Sequence, residues 1–304
     1  MLVLEDNFST KLQYETYIAL GKFDGLHIGH GSLIKEIVKL AKENNKKSMI
    51  LTFKNHPLTV INNSLKPKLL INNDMKLQFF KDLGVDIVNF INFDNNIMKM
   101  QPEEFLNNLL HYYNAKGIVV GFNFRFGYKN EGDVELLTSL KSKMNFEAYV
   151  MEPVIYDSEV ISSSRIRKLI GAGNVAIANK MLMKPYRITG RVIKGRQLGR
   201  TIGFPTLNLE LDSNYLIPGR GVYHTSVSID GECYNSITNI GLNPTVQGEN
   251  LSIECHVIEF NQDIYGKVVS VTFIERIRDE KKFNSLDELA KQLKRDKEYV
   301  IAKK

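Results

Sequence analysis

Two histidines separated by Ile28 and Gly29 stand in residues 21–30, GKFDGLHIGH, where a strand-like run passes into a helix-like one. Glycines at 21, 25 and 29 let the backbone approach a ligand closely. A helix starting near Ser32 points its free amides and positive dipole end back at the loop. This suits phosphate chemistry: His27 and His30 can donate to phosphoryl oxygens where charge develops, and neither has to act as a nucleophile. A second dense stretch is residues 195–208, GRQLGRTIGFPTLN. Amides at Gly195, Gly199 and Gly203 can wrap phosphates, while Thr206 and Asn208, on one side of an extended segment, can hold Mg²⁺ and a phosphate. It is not the helix-opening GxxxxGK[ST] loop of P-loop enzymes.

Three further groups carry chemistry. Ser162, Ser163 and Ser164 can cap a helix whose Arg165 or Arg167 can clamp triphosphate oxygens with a bidentate fork. Asn123 and Arg125 follow the strand-like run GIVVGF. In SIECHVIEF, Ile253, Cys255 and Val257 share one strand face, and Glu254 and His256 the other. Glu254 could take a proton from an attacking hydroxyl, although alternation alone makes it a solvated outer-face residue.

The elements that must position these groups follow from periodicity. From Thr16 to Phe146, five strand-like runs (TYIAL, SMILTF, VDIVNFI, GIVVGF, FEAYV) alternate with amphipathic helices, predicting a doubly wound parallel sheet. In such a sheet ligands bind outside the carboxyl ends of the strands, where GKFDGLHIGH and Asn123 fall. After Lys184-Pro185 the pattern becomes alternating strands with no helix before Ser285, predicting a small antiparallel β-barrel closed by a terminal helix. That helix has a capping box, Ser285-x-x-Glu288, and an apolar stripe at Leu286, Leu289 and Leu293 expected to pack on the barrel. The expected domains are therefore 1–183 and 184–304.

At 304 residues both domains can bury a core. The net charge of +6 divides as +3 on each side of residue 183 with no basic block, which predicts no nucleic-acid partner. Cys233 and Cys255 lack a CxxC or Cys/His cluster, arguing against a disulfide framework or a zinc site. Without a leader-like start or a long apolar run, the expectation is a soluble cytoplasmic chain that needs no membrane; self-association is compatible with the sequence.

HIGH in this position resembles the signature of the nucleotidylyltransferase superfamily, and Ile161-Ser-Ser-Ser-Arg-Ile-Arg167 resembles the ISSTxxR motif of its small adenylyltransferases. Residues 121–127, GFNFRFG, resemble the GxDFRFG segment of the bifunctional riboflavin kinase/FMN adenylyltransferase family, the prokaryotic FAD synthetases. Residues 195–208 resemble the GRxxGFPTAN motif of riboflavin kinases, with Leu207 in place of alanine. Two segments depart from the family: Phe53-Lys-Asn-His-Pro57, where His56 reads as a loop residue, and Tyr128-Lys-Asn-Glu131.

The resemblance implies phosphorylation of riboflavin by ATP, then adenylylation of FMN to FAD with release of pyrophosphate, both with Mg²⁺. It implies His27 and His30 as charge stabilisers and Glu254 as base. Gly21, Phe23, Gly29, Asn123, Arg125, Ser163, Ser164, Arg165 and Arg167 would serve ATP and phosphate in the first domain, and Gly195, Gly199, Arg200, Gly203, Thr206 and Asn208 in the second. Thr206 and Asn208 would also hold the metal, and Asp24, Asn239, Arg278 and Glu280 would contact flavin. A surface salt bridge is nearly as good a reading of Arg278. Rival readings are an enzyme retaining one activity, the kinase sooner than the adenylyltransferase, and a non-catalytic flavin- or RNA-binding protein.

Overall fold

The computed structural model describes residues 1–61, 67–195, 198–211, 214–245 and 248–303. Contacts divide the chain into two compact units, Met1–Lys68 with Asn72–Ser162, and Leu69–Ile71 with Ser163–Lys304.

The first unit holds strands β1 (Leu2–Leu4), β2 (Thr16–Leu20), β3 (Lys47–Phe53), β4 (Ile87–Ile91), β5 (Ala115–Gly121) and β6 (Glu147–Met151). They form one sheet in the order β1-β4-β3-β2-β5-β6, with every neighbouring pair parallel. Helices α1 (Ile28–Glu43), α2 (Pro57–Ile61), α3 (Asn73–Asp82), α4 (Asn95–Lys99), α5 (Pro102–Tyr112) and α6 (Val134–Met144) connect them, and the hairpin β7 (Ile155–Tyr156) and β8 (Glu159–Val160) follows. Every residue of β2 and β4 is buried, as expected where helices cover both faces of a parallel sheet. Edge strand β1 was not anticipated. Its three residues are too few for a periodic signal, and parallel pairing with β4 holds them. Just after it, Asp6 is buried and accepts from Tyr113 Oη at 2.8 Å, while Asn89 Nδ2 donates to the same phenol at 2.8 Å. Burial raises the Asp6 pKa, but hydrogen bonds from Ser9, Tyr113 and Thr10 outweigh it and hold the carboxyl below its usual value.

The second unit begins with α7 (Ser163–Gly171) and α8 (Val175–Asn179). Strands β9 (Arg187–Ile193), β10 (Leu207–Leu211), β11 (Gly221–Ile229), β12 (Glu232–Thr245), β13 (Gly248–Val257) and β14 (Val268–Arg278) close into a barrel in the order β10-β13-β12-β11-β14-β9, with antiparallel pairs throughout. A helical turn α9 (Leu198–Thr201) lies between β9 and β10, and α10 (Leu286–Ala302) ends the chain.

Helices α7 and α8 pack on the barrel, so contacts divide the chain at Ser162/Ser163: Asn179 Nδ2 donates to the Phe273 carbonyl at 2.8 Å, and Gly219 N to that of Ile170 at 3.1 Å. Three local expectations need correction. A helix does precede Ser285: α9 forms where Phe204 N turns back to the Gly199 carbonyl at 2.8 Å. Helix α1 starts at Ile28, not near Ser32, because His27 is its cap. The Ser285 hydroxyl does cap α10, accepting from Glu288 N at 3.2 Å, but Leu286 is exposed and Leu289 and Leu293 only half-buried. The helix packs instead through Val300, against Val222, Ile237 and Ile258, and through buried Asp296.

Candidate active sites

In the first unit β2 lies between β3 and β5, and the chain runs outward from β2 toward β3 and β4 on one side and from β5 toward β6 on the other. The GKFDGLHIGH loop and the GFNFRFG loop therefore leave the carboxyl ends of two adjacent parallel strands, at the sheet's switch point.

His27 caps α1. Its backbone is extended, and its Nδ1 accepts the N–H of His30 at 3.3 Å, the place usually taken by a serine or aspartate oxygen. An Nδ1 that accepts leaves the proton of a neutral ring on Nε2, free to be donated to an anion. The two imidazoles stack, centroids 3.7 Å apart and planes 18° apart. Gly29 fits closely here, since a Cβ would crowd His27 Nδ1 at 3.2 Å. Fully buried Phe23, held at a φ of 48°, lies 5.3 Å from the His30 ring and edge-on to Phe80. A Cβ at Gly21 would press on the Phe23 ring at 3.1 Å. Burial pushes the His27 pKa down to about 4. Burial, then the charges of His27 and Lys76, push His30 well below its ordinary value. Both rings are neutral donors at pH 7, and His30 Nδ1 is buried without a hydrogen-bond partner.

Asp24 is buried beside these residues. Asn123 and Arg125 lie exposed in a turn closed by Phe124 N on the Gly121 carbonyl, and Arg125 Nη1 donates to Asp133, the N-cap of α6, at 3.1 Å. Ser163, Ser164, Arg165 and Arg167 occupy the first turns of α7, in the second unit, with Ile166 and Ile170 turned into the core. The buried Lys76 had no place in the sequence reading, although its spacing to Phe79 and Phe80 puts it on the buried stripe of α3.

In the second unit, register builds the site. Asn208 on β10 stands opposite Glu254 on β13, and Glu254 opposite Asn239 on β12. Asn239 stands opposite Val222 on β11, and Val222 opposite Arg278 on β14. Directly paired residues share a sheet face, so Asn208, Glu254 and Asn239 form a polar row across three strands. Alternate residues point into the barrel, where Thr238 Oγ1 lies 2.7 Å from Thr225 Oγ1 and donates to Cys255 Sγ at 3.1 Å. Val222, on the face of the row, packs under α10, so the row is on the helix side of the barrel wall.

Loops close over both ends of this row. A Cβ at Gly195 would fall 2.1 Å from Asn208 Nδ2, so the backbone of residue 195 lies against that amide. A Cβ at Gly199 would fall 2.1 Å from the Phe204 carbonyl oxygen, and Gly203 has a φ of 81°. Arg196 and Gln197 lie outside the described residues, as does the side chain of Arg200. At the other end, a Cβ at Gly241 would meet Glu280 Oε1 at 2.2 Å and Asn239 Nδ2 at 3.1 Å, so both side chains converge over that glycine. Arg278 is engaged elsewhere: Nε and Nη2 reach the buried Asp296 carboxylate of α10 at 3.1 and 2.8 Å, and Nη1 reaches the Asp279 carbonyl. This ion pair with a buried partner ties the helix to β14.

His256 was named without a role. It lies two residues beyond Glu254 on the same face; its Nδ1 is 2.9 Å from the Pro205 carbonyl, and its ring packs edge-on to Phe204. It fixes the turn that presents Thr206 and Asn208.

Mg²⁺ fits the donors present. Thr206 and Asn208 offer neutral oxygen, and no cluster of three or more His, Cys, Asp or Glu side chains suited to a metal occurs among the described residues. A cation supported by one or two protein oxygens and completed by nucleotide phosphates is the habit of Mg²⁺.

A parallel α/β unit with imidazole donors at its switch point, together with a closed barrel carrying a glycine-rich loop, a carboxylate and paired amides, defines a nucleotide-dependent transferase of two domains. The FAD synthetase family model matches residues 9–165 and the riboflavin kinase model residues 182–303. The Bacillus subtilis bifunctional riboflavin kinase/FMN adenylyltransferase is 35% identical over 294 residues, covering 95% of this chain and 92% of the relative. The Escherichia coli K12 enzyme of the same name is 34% identical, covering 95% and 93%. A Streptococcus pneumoniae crystal structure, described as a macrolide-efflux protein, matches with a TM-score of 0.89 at 33% identity over 99% of both chains. The chain belongs to the bifunctional riboflavin kinase/FMN adenylyltransferase family. No helix among the described residues is long and apolar enough to cross a membrane.

Proposed function

We propose that this transferase carries out two reactions in the cytoplasm: riboflavin and ATP give FMN and ADP at the barrel, and FMN and ATP give FAD and pyrophosphate at the parallel sheet. Both family models and the bifunctional relatives favour two activities over one. The observation that carries the residue roles is the row Asn208–Glu254–Asn239, which sets a carboxylate between two amides.

In the kinase step Glu254 accepts the proton of the ribityl 5′-hydroxyl as it attacks the γ-phosphorus, and the bond to the β-phosphate oxygen breaks. Thr206 and Asn208 hold the nucleotide with its Mg²⁺, which when bound neutralises phosphate charge. Backbone amides of the glycine-rich loop donate to the transferred group. Asn239 and Glu280 orient the flavin. Arg278 acts through Asp296, fixing α10.

In the adenylyl transfer an FMN phosphate oxygen attacks the α-phosphorus of ATP, and the α–β bridging oxygen leaves with pyrophosphate. His27 donates from Nε2 and His30 from its ring to the charge that develops. Asn123 and Arg125 orient ATP or FMN, with Asp24 beside the flavin. The Ser-Ser-Ser-Arg-Ile-Arg motif is the ground for assigning Arg165 or Arg167 to the leaving pyrophosphate.

Incubating the chain with riboflavin, ATP and Mg²⁺ and separating the flavins tests the reading; FMN and then FAD should accumulate. Glu254→Gln should stop FMN formation while FAD still forms from supplied FMN, and His30→Ala should do the reverse. Loss of both activities in either folded variant would rule out independent sites.

A further inference from the structure

Lys76 has no part in either reaction as derived above. It is 7% exposed, and its Nζ donates to the Lys22 carbonyl at 3.1 Å, the same oxygen that takes the Thr52 hydroxyl at 3.2 Å. Lys22 is the second residue of the loop that leaves β2, so α3 and β3 together clamp that loop where it turns out of the sheet. One turn along α3 from Lys76, Phe80 packs edge-on to Phe23, whose ring lies against His30. Helix α3 thus reaches the histidines by one polar and one aromatic route.

A buried ammonium is costly unless it is paired or used. Burial lowers the Lys76 pKa and the charge of buried Asp24, in the same loop, raises it in part. The lysine's own charge helps to hold His30 neutral. Of the groups facing this site, His27 at the start of α1 and Lys76 on α3 act on the His30 ring, and Asp24 in the loop acts on Lys76. Neutral imidazoles offer dipoles only, so the placing of the loop that carries them decides how they meet a phosphate.

We propose that Lys76 is a positioning residue of adenylyl transfer: its Nζ pins the Lys22 carbonyl and so holds the loop that carries the stacked histidines, which the proposed reaction sets against an anionic nucleotide. This role rests on reading the first unit as the adenylyltransferase.

The test uses the full chain with Lys76→Met, which keeps length and removes charge, and Lys76→Arg, which keeps charge. In Lys76→Met, kcat for FAD formation from FMN and ATP should fall about tenfold or more, the loss of a donor-class contribution. Phosphorylation of riboflavin in the same preparation should be unchanged. The His30 ring, followed by NMR, should titrate at higher pH in Lys76→Met and at the wild-type pH in Lys76→Arg, the two variants together separating the charge from the packing. FAD formation within about threefold of wild type, or equal His30 midpoints in Lys76→Met and wild type, overturns the role. Should Lys76→Met not fold, Lys76→Gln compared with Lys76→Arg decides by the same midpoints, equality again overturning it. If the wild-type chain itself forms no FAD, the adenylyltransferase reading fails and this role with it, while unequal midpoints would still locate the charge.

Discussion

His256 Nδ1 lies 2.9 Å from the carbonyl oxygen of Pro205, joining the strand that carries Glu254 to the turn that presents Thr206 and Asn208. Burial lowers the pKa of His256, and with Nδ1 donating to the carbonyl its Nε2 is buried without a partner. His256→Phe should therefore loosen the turn while leaving the carboxylate in place. The expected result is a KM for Mg·ATP in FMN formation raised by about fivefold, the worth of one modest hydrogen bond, with a smaller change in kcat. Steady-state kinetics at varied ATP check this; an unchanged KM would remove His256 from the site.

Gly195 and Asn208 give a second test, because a Cβ at 195 would occupy the place of the Asn208 amide. Gly195→Ala should displace the amide from its expected nucleotide contact and reduce FMN formation by about tenfold or more, with FAD formation from FMN unaffected. Coupled assays of the two half-reactions on one preparation separate these outcomes.

Burial of His27 ties stability to pH. Burial holds the folded ring down at about 4, whereas in the unfolded chain it titrates near the ordinary imidazole value of about 6.5. Between these values the unfolded state binds the extra proton, so stability falls as pH drops through that window, by on the order of 3 kcal/mol for this one group. His27→Asn keeps a good helix cap without the titration. Urea unfolding at pH 7 and pH 5 should show a shallower acid loss in the variant, along with FAD synthesis reduced about a hundredfold.

Asp296, only 2% exposed, takes two guanidinium donors from Arg278 and an amide from Gln292. Asp296→Ala leaves that half-buried guanidinium without its partner and should cost about 2–3 kcal/mol. A lower denaturant midpoint and weakened riboflavin phosphorylation are expected together, since α10 covers the same face of the barrel as the Asn208–Glu254–Asn239 row. Retained midpoint would mean that the Arg278 tether is dispensable.

How much of this was legible before any coordinates depended on the range of the interaction. The 3.6- and 2-residue periods of α1, α3, α5, α6 and the longer strands are local, and so is the placing of GKFDGLHIGH at a strand end; all were readable. Three-residue β1 and four-residue α9 were not, being too short to show a period. The Leu286–Leu289–Leu293 stripe misled because the surface facing α10 prefers Val300 and Asp296, a matter of the partner rather than the helix.

The sequence by itself determined the two architectures, the motifs and the family, because these rest on spacing along the chain. Tertiary structure alone decided which side chains meet. Alternation left Glu254 on an outer face, and only antiparallel register set it between Asn208 and Asn239 under the helix side of the barrel. The two histidines were read as equivalent donors. Packing made His27 a helix cap with a fixed tautomer, left His30 Nδ1 buried without a partner, and brought up Lys76 from α3, because burial and long-range contact are properties of the folded chain.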